Sequence, residues 1–390
     1  MNIIFFDDEN RDHLLPLTFT RPSAKLRCGI LTLEEKWLKR LGETEASYLS
    51  QDYLQKKFPI KETGDDWFIN PCVCPTEELV EALQSLEDHQ SLMKDDLLIA
   101  TRDSRHFNED EELDTEVLDF EGELNYISRP YHLFSLNGAE LEVDFDLITA
   151  GRESAPVSKT NTLIGDRIFL EEGAKVEAAI LNSSSGPIYI AKDAEVMEAS
   201  VVRGPFALCE HSVLKLASKI YGPTTVGPHS KVGGEVNNSV ILGYSNKGHD
   251  GFLGNSVLGE WCNIGADSNN SNLKNNYEEV KLWDYPRGGF ARTGLQFCGL
   301  IMGDHSKCGI NTMFNTGTVV GVSANIFGSG FPRNFIASYS WGGASGFSEY
   351  KFEKAMKTAE LVMSRRNVEL DEVERDILQV IFDKTASYRK

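Results

Sequence analysis

Between Ile190 and Val232 every sixth residue is aliphatic: Ile190, Val196, Val202, Leu208, Leu214, Ile220, Val226 and Val232. Four residues after each stands Ala194, Ser200, Phe206, Ser212, Ser218, Thr224, Ser230 or Val236, small in six of the eight cases. A period of six is neither the 3.6 of a helix nor the 2 of an ordinary strand. It predicts a left-handed parallel β-helix, in which three six-residue strands make one triangular coil. The aliphatic side chain points into the prism and stacks on its equivalents above and below. The small side chain lets the backbone turn the corner. The same phase returns at Ile164, Leu170 and Val176, at Phe252, Leu258 and Ile264, and at Met302, Cys308, Phe314, Val320 and Ile326. Together these runs predict roughly six coils broken by insertions, a solenoid held by neighbour-on-neighbour stacking.

Ahead of the solenoid the pattern changes. Residues 2–6 read as a buried strand ending at Asp7 and Asp8, Leu31 to Leu41 as a helix, and Trp67–Ile69 and Leu97–Ala100 as strands with a helix from Thr76 to Leu86 between them. Alternation of this kind predicts an α/β domain with a mainly parallel sheet. Arg129 to Asn137 reads as a helix entering a linker, and the solenoid is expected to begin near Thr162. After the solenoid, Ser348–Arg366 and Leu370–Thr385 read as two amphipathic helices, the first with Phe352, Met356, Ala359 and Met363 on one face. They are expected to cap the solenoid's open end. The expected division is an α/β domain over 1–150, a β-helix over 151–340 with an inserted loop at 267–300, and a helical tail over 341–390. The loop carries Trp283, Tyr285, Arg287 and Arg292, and either packs on its own coil or reaches over a neighbouring subunit.

A net charge of −20 argues against nucleic acid or an anionic membrane as the main partner. It leaves room for an anionic small molecule held in a local basic pocket. The loop after the first strand offers such a group in Arg11, Arg21, Lys25 and Arg27. These are either phosphate ligands at the carboxyl edge of the sheet or solvated loop charges. Residues 107–123 hold nine acids and no base, which reads as a solvated loop more readily than as a metal site. Asp103, and Asp144 or Asp146, are the other carboxylates available to a metal, with Asp103 taken as the candidate. No apolar run reaches 18 residues, so no membrane-spanning helix is expected, and the N-terminus lacks the basic region of a secretory signal. Seven scattered cysteines suit a reducing cytoplasm; Cys72 and Cys74 read as semi-buried thiols rather than a zinc site.

One segment stands apart inside the solenoid. Gly243 to Asn255 holds four glycines in 13 residues, so the backbone there approaches something closely. It also holds Gly248-His249-Asp250-Gly251. An exposed histidine on a rigid coil suits general base chemistry, because its unperturbed pKa lies near working pH.

Two resemblances attach to these residues. Arg11 with Leu15-Pro16-Leu17-Thr18 and Arg21-Pro22 resembles the opening of sugar-phosphate nucleotidylyltransferases, although Asp7-Asp8-Glu9-Asn10 stands where that family has a glycine-rich phosphate loop. Gly248-His249, Phe252-Leu253-Gly254-Asn255 and Asn263-Ile264-Gly265-Ala266 resemble the acetyltransferase half of the bifunctional enzymes that make UDP-N-acetylglucosamine, in a divergent variant. The resemblance implies His249 as the base that deprotonates an acceptor amine. It implies acceptor or acyl-CoA contacts at Phe252, Asn263, Ala266, Asn276, Tyr277 and Lys281, with Asn276 preferred over Asn272 for the second family asparagine. Lysines expected to hold the sugar phosphate are replaced by Asn237 and Asn238. The two resemblances together imply a cytoplasmic homotrimer acting on a sugar phosphate, a nucleoside triphosphate and acetyl-CoA, with Mg²⁺ in the N-terminal domain. Two rivals remain: a nucleotidyltransferase that uses the solenoid only for trimerisation or regulation, and a non-catalytic nucleotide-sugar binder.

Overall fold

The computed structural model of the protein describes residues 1–103 and 115–389. Its N-terminal domain is built on six strands: β1 (Asn2–Phe6), β2 (Ser47–Leu49), β3 (Asp66–Ile69), β4 (Gln90–Lys94), β5 (Leu97–Asp103) and β6 (Glu116–Asp119). Their order is β2–β1–β3–β5–β4–β6. β1 runs parallel to β2 and β3, but β5 is antiparallel to both β3 and β4. The sheet is therefore mixed rather than mainly parallel. The cause is local: β4 and β5 are joined by Asp95-Asp96 alone, with Asp95 in the left-handed region at φ 51°, and so short a connection joins only antiparallel neighbours. Helix α1 (Leu33–Leu41) opens on a Thr32/Glu35 capping box and closes on Gly42 at φ 73°. Helix α2 (Glu77–Gln84) is capped by Thr76. Of the acidic run at 107–123, positions 107–114 lie outside the described residues, and the remainder includes edge strand β6.

The stretch expected to lead into a linker instead starts a helix that packs on the solenoid. Short α3 (His132–Ser135) runs into α4 (Asn137–Thr149), whose Leu141, Phe145 and Ile148 bury against Phe169, Tyr189 and Ala207. Lys36 of α1 ties α4 down through Asp144 at 2.6 Å and Glu140 at 2.8 Å. Burial opposes the Lys36 charge, but these two carboxylates outweigh it and raise the pKa. Asp144 also accepts the backbone N–H of Ile30 and Leu31. It is a structural anchor.

The solenoid has three faces of six, nine and ten strands, parallel throughout except for the last. All eight aliphatic hexad residues from Ile190 to Val232 are buried in it. The small corner residues are buried too, and Ser218 donates its hydroxyl to the Lys215 carbonyl at 2.6 Å. The coils outnumber the roughly six expected because some corners are trimmed. Leu208 pairs with Val226 eighteen residues on, whereas Val226 pairs with Ile241 and Val232 with Lys247, each fifteen on. Trimming shifts the phase and hides a coil without removing it.

The insertion keeps one solenoid strand, Asn269–Asn270 paired with Met313–Phe314, and then carries a hairpin of Lys281–Asp284 and Gly289–Arg292. This hairpin packs on its own chain. Trp283 lies flat on Phe335 at 4.0 Å, Tyr285 meets Phe19 edge-on at 5.3 Å, and His13 Nδ1 lies 2.8 Å from Asp284. At the C-terminus, Gly346–Glu349 folds back antiparallel on Ser340–Gly343, so α5 (Phe352–Ser364) starts later than expected. Helix α6 (Glu372–Lys384) follows. A single apolar core joins the parts: Leu14, Leu17 and Phe19 of the opening loop, Val240 and Val257 of the solenoid, and Tyr339 and Leu378 at the tail. All seven cysteines are free and buried. Among the described residues, no helix is long and apolar enough to cross a membrane.

Candidate active site

His249 sits at the corner between the face carrying Asn246–Lys247 and the face carrying Phe252–Gly254. Its side chain is exposed and makes no hydrogen bond or ion pair within the chain among the described residues. The backbone beneath it, by contrast, is held tightly. Gly251 lies at φ 118°, and a Cβ there would stand 2.1 Å from the Ser268 carbonyl oxygen. Gly234, one coil below, has φ 72°, and its Cβ would stand 2.8 Å from both the His249 carbonyl oxygen and the Asp250 Cα. Only glycine suits either position. Within the segment, Gly251 is thus required by the backbone that it approaches, and Gly254 is as crowded, since a Cβ there would stand 2.5 Å from the Phe252 ring.

The same corner is fixed from inside the prism. Lys247 follows Val232 in the inward column, where an aliphatic residue belongs, and is almost fully buried. Its Nζ donates to the carbonyls of Gly233 at 2.9 Å, His249 at 2.9 Å and Gly251 at 2.8 Å. Burial pushes its pKa down to about 8, against the nearby Asp250 carboxylate, which favours the charge. The ammonium thus closes the three main-chain acceptors around the histidine. Sequence reading passed over Lys247, because the trimmed corner takes it out of the six-residue phase.

The residues expected around His249 divide into two groups. Asn263 lies on the first face, half-buried, accepting from Asn246 at 3.1 Å. Phe252 lies on the second, its N–H bonded to Asn269 Oδ1 at 2.8 Å. Ala266 begins the turn into that face, and its carbonyl accepts from Asn311 N–H at 2.8 Å. Asn276, Tyr277 and Lys281 are exposed and belong to the insertion, beyond the coil. Asn272 is the asparagine at the coil: it donates to Asn255 Oδ1 at 2.8 Å, and both it and the Phe252 ring crowd the space over Gly254. Gapless spacing pointed to it, whereas matching the Asn-Tyr pair pointed away.

In the N-terminal domain, the basic loop residues are all engaged within the protein. Arg11 bonds Asp7, Asp12, the Thr18 carbonyl and Tyr53. Lys25 pairs with Glu34 at 2.5 Å, and Arg27 bonds the Ile30 carbonyl and lies 3.8 Å from Glu35. Arg21 crosses to the solenoid, pairing with Asp304 and, at 2.9 Å, with Glu260. Burial opposes the Arg21 charge, but these two carboxylates raise its pKa well above the usual value.

At the carboxyl edge of the parallel strands, where α/β sheets bind ligands, stand Asp7 and Asp8. Asp7 accepts from Arg11, Ser50 and both the N–H and hydroxyl of Ser23. Asp8 accepts from Asn10 N–H, Asn70 and Tyr126. With their oxygens committed, these carboxylates do not fit a Mg²⁺ site. Asp103 does lie with Asp88 and His89, the possible ligand atoms within 4.8 Å of one another. That group is at the other end of the sheet, however, since Asp103 pairs with Asp66 at the start of β3.

Residues 3–153 match a family model described as a sugar nucleotidyl transferase. The match spans the α/β domain. A bifunctional sugar-1-phosphate nucleotidylyltransferase/acetyltransferase from Sulfurisphaera tokodaii is 28% identical over 144 residues. The match covers 36% of this chain and 35% of the relative, so it spans about a third of that protein's length. Both sequence likenesses are to transferases. Among solved structures, the UDP-N-acetylglucosamine acyltransferase of Arabidopsis aligns over 60% of this chain and 92% of its own, at 14% identity and a TM-score of 0.30. The enzyme of the same name from Campylobacter jejuni aligns over 58% and 96%, at 14% identity and a TM-score of 0.17.

Proposed function

We propose that the solenoid transfers an acetyl group from acetyl-CoA to the amine of an amino-sugar 1-phosphate, with His249 as general base. The observation that carries this reading is the contrast at the corner: an uncommitted imidazole on backbone locked by Lys247, Gly234 and Gly251. In the reaction, His249 Nε2 or Nδ1 takes the proton as the amine attacks the thioester carbonyl, and the leaving CoA thiolate recovers a proton. A base held in place is worth roughly 10²–10⁴ in rate. Phe252 and Asn263, flanking the corner on its two faces, would contact the acceptor, and Asn272 would do so beside Phe252. A homotrimer would bring a second copy's solenoid against this exposed corner and exclude water from it.

The α/β domain's match to a nucleotidyl transferase model supports a second activity, nucleotide activation of the sugar phosphate. The engagement of Asp7 and Asp8 within the protein and the commitment of Arg21 to the solenoid weigh against that edge acting as it stands. Two assays on the full chain separate the readings: CoA release with a panel of amino-sugar 1-phosphates, and pyrophosphate release from nucleoside triphosphates with sugar 1-phosphates. CoA release alone is the expected result. Pyrophosphate release alone would transfer the function to the α/β domain, and silence in both with retained nucleotide-sugar binding would make the protein a binder.

A further inference from the structure

The inserted hairpin, the last solenoid coils and the C-terminal residues border an open cavity of about 660 Å³. That is within the usual size range of small-molecule sites. Lys274, Lys281 and Arg333 line it together with Trp283, Phe290 and Tyr388. Among the described residues, none of these three cations is paired with a carboxylate; Lys274 Nζ donates to the Glu279 carbonyl at 2.7 Å and Arg333 lies over the Phe347 ring, while two neighbouring acids are engaged elsewhere. Asp284 pairs with His13, and Glu279 lies 3.5 Å from Arg292 and accepts the Gly294 N–H. On a chain of net charge −20, three unneutralised cations facing one cavity make a local field that attracts anions. The ring lining is equally specific. Trp283 is fixed by its stack on Phe335, and Phe290 stands edge-on to it at 5.5 Å with 41% of its own surface exposed. Exposed aromatic surface beside cations is the combination that holds a base and its phosphates together.

We propose that this cavity binds a nucleoside phosphate, with phosphate oxygens on Lys281, Lys274 and Arg333 and the base against Phe290. The nucleotide end of CoA and a free nucleotide or nucleotide sugar share this chemistry. The site is independent of the acyl-transfer reading, since His249 is not part of it. A CoA ligand would link the two along one face, because Lys274 and Thr316 also border a second cavity lined by Ser271 and Asn315, and Ser271 continues the Asn269–Asn270 strand beside Phe252.

The test is equilibrium binding to the full chain of CoA, UTP, UDP-N-acetylglucosamine and inorganic pyrophosphate, for wild type, Lys281→Glu/Arg333→Glu and Phe290→Ala. At least one nucleoside phosphate is expected to bind, and the charge reversal to weaken it by about tenfold or more. Phe290→Ala is expected to weaken that ligand while leaving pyrophosphate unchanged. Tight CoA with weak UTP identifies the coenzyme as the source, and the reverse identifies a free nucleotide. The proposal is overturned if no nucleoside phosphate binds, if both variants bind as wild type does, or if pyrophosphate binds as tightly as every nucleotide. It is also overturned if the variants change the sedimenting mass, which would make the cavity an interface between copies.

Discussion

Lys247 and His305 are two buried basic side chains that the solenoid treats differently. Lys247 meets three carbonyls, so replacing it with methionine keeps the volume and leaves the Gly233 and His249 carbonyls without their donor, while Gly251 keeps the Glu235 N–H. Lys247→Met is expected to lower unfolding stability by about 2 kcal/mol or more, measured by urea denaturation. It is also expected to lower kcat for acetyl transfer while leaving the KM for acetyl-CoA near wild type, a split that loss of stability alone would not produce. Among the described residues, His305 has no such partners: both ring nitrogens are buried without a hydrogen bond, and the ring stacks on Trp261 at 6.3 Å. Burial, with a smaller effect of Lys307, pushes its pKa down to about 3; Arg21 and Lys57 act the same way and Glu260 opposes them. The unfolded chain takes up this proton near 6.5 and the folded protein only near 3. Unfolding therefore binds a proton between those values, and stability falls as pH drops through that window. His305→Phe keeps the stack and removes the titration. Its unfolding free energy is expected to fall less than that of wild type between pH 6.5 and 4; an identical pH slope would remove His305 as the cause.

Among the elements, the opening loop has the most unexpected role. Leu14, Leu17 and Phe19 enter the shared core, and Thr20 and Arg21 bond Asp304 of the solenoid. What reads as a phosphate loop is here a docking loop. Arg21→Met leaves Asp304 buried beside Thr20 without its cation, and is expected to cost about 3–5 kcal/mol in calorimetry or denaturant titration. A loss below 1 kcal/mol would mean that the pair is not buried in solution. The hexad elements were legible because each inward position repeats the same chemistry six residues on. The loop was not, because a sequence shows that Arg21 is charged but not that its partner lies 283 positions away. The tight backbone at the His249 corner was legible from its glycines, whereas Lys247, which holds that backbone, lies where a trimmed corner breaks the period. The sheet's mixed direction turned on a two-residue turn: Leu97–Ala100 reads as a strand, but Gln90–Lys94 before it shows no alternation that would reveal its antiparallel partner.

At the scale of the whole molecule, the α/β domain, solenoid and tail share one core, and α6 returns to the first domain through Lys56–Asp376 and Lys57–Glu374. Exposed pairs of that kind add little; the apolar contacts of Leu14, Leu17 and Leu378 do the joining. In the proposed homotrimer, a body so connected would present the His249 corner in a fixed orientation to a second copy. The most direct measurement is CoA release from acetyl-CoA with glucosamine 1-phosphate, for wild type and His249→Gln, with sedimentation to verify equal assembly. Turnover in wild type and a loss of about 10² or more in His249→Gln at unchanged mass is the expected result. Equal rates in the two proteins would contradict a catalytic role for the corner.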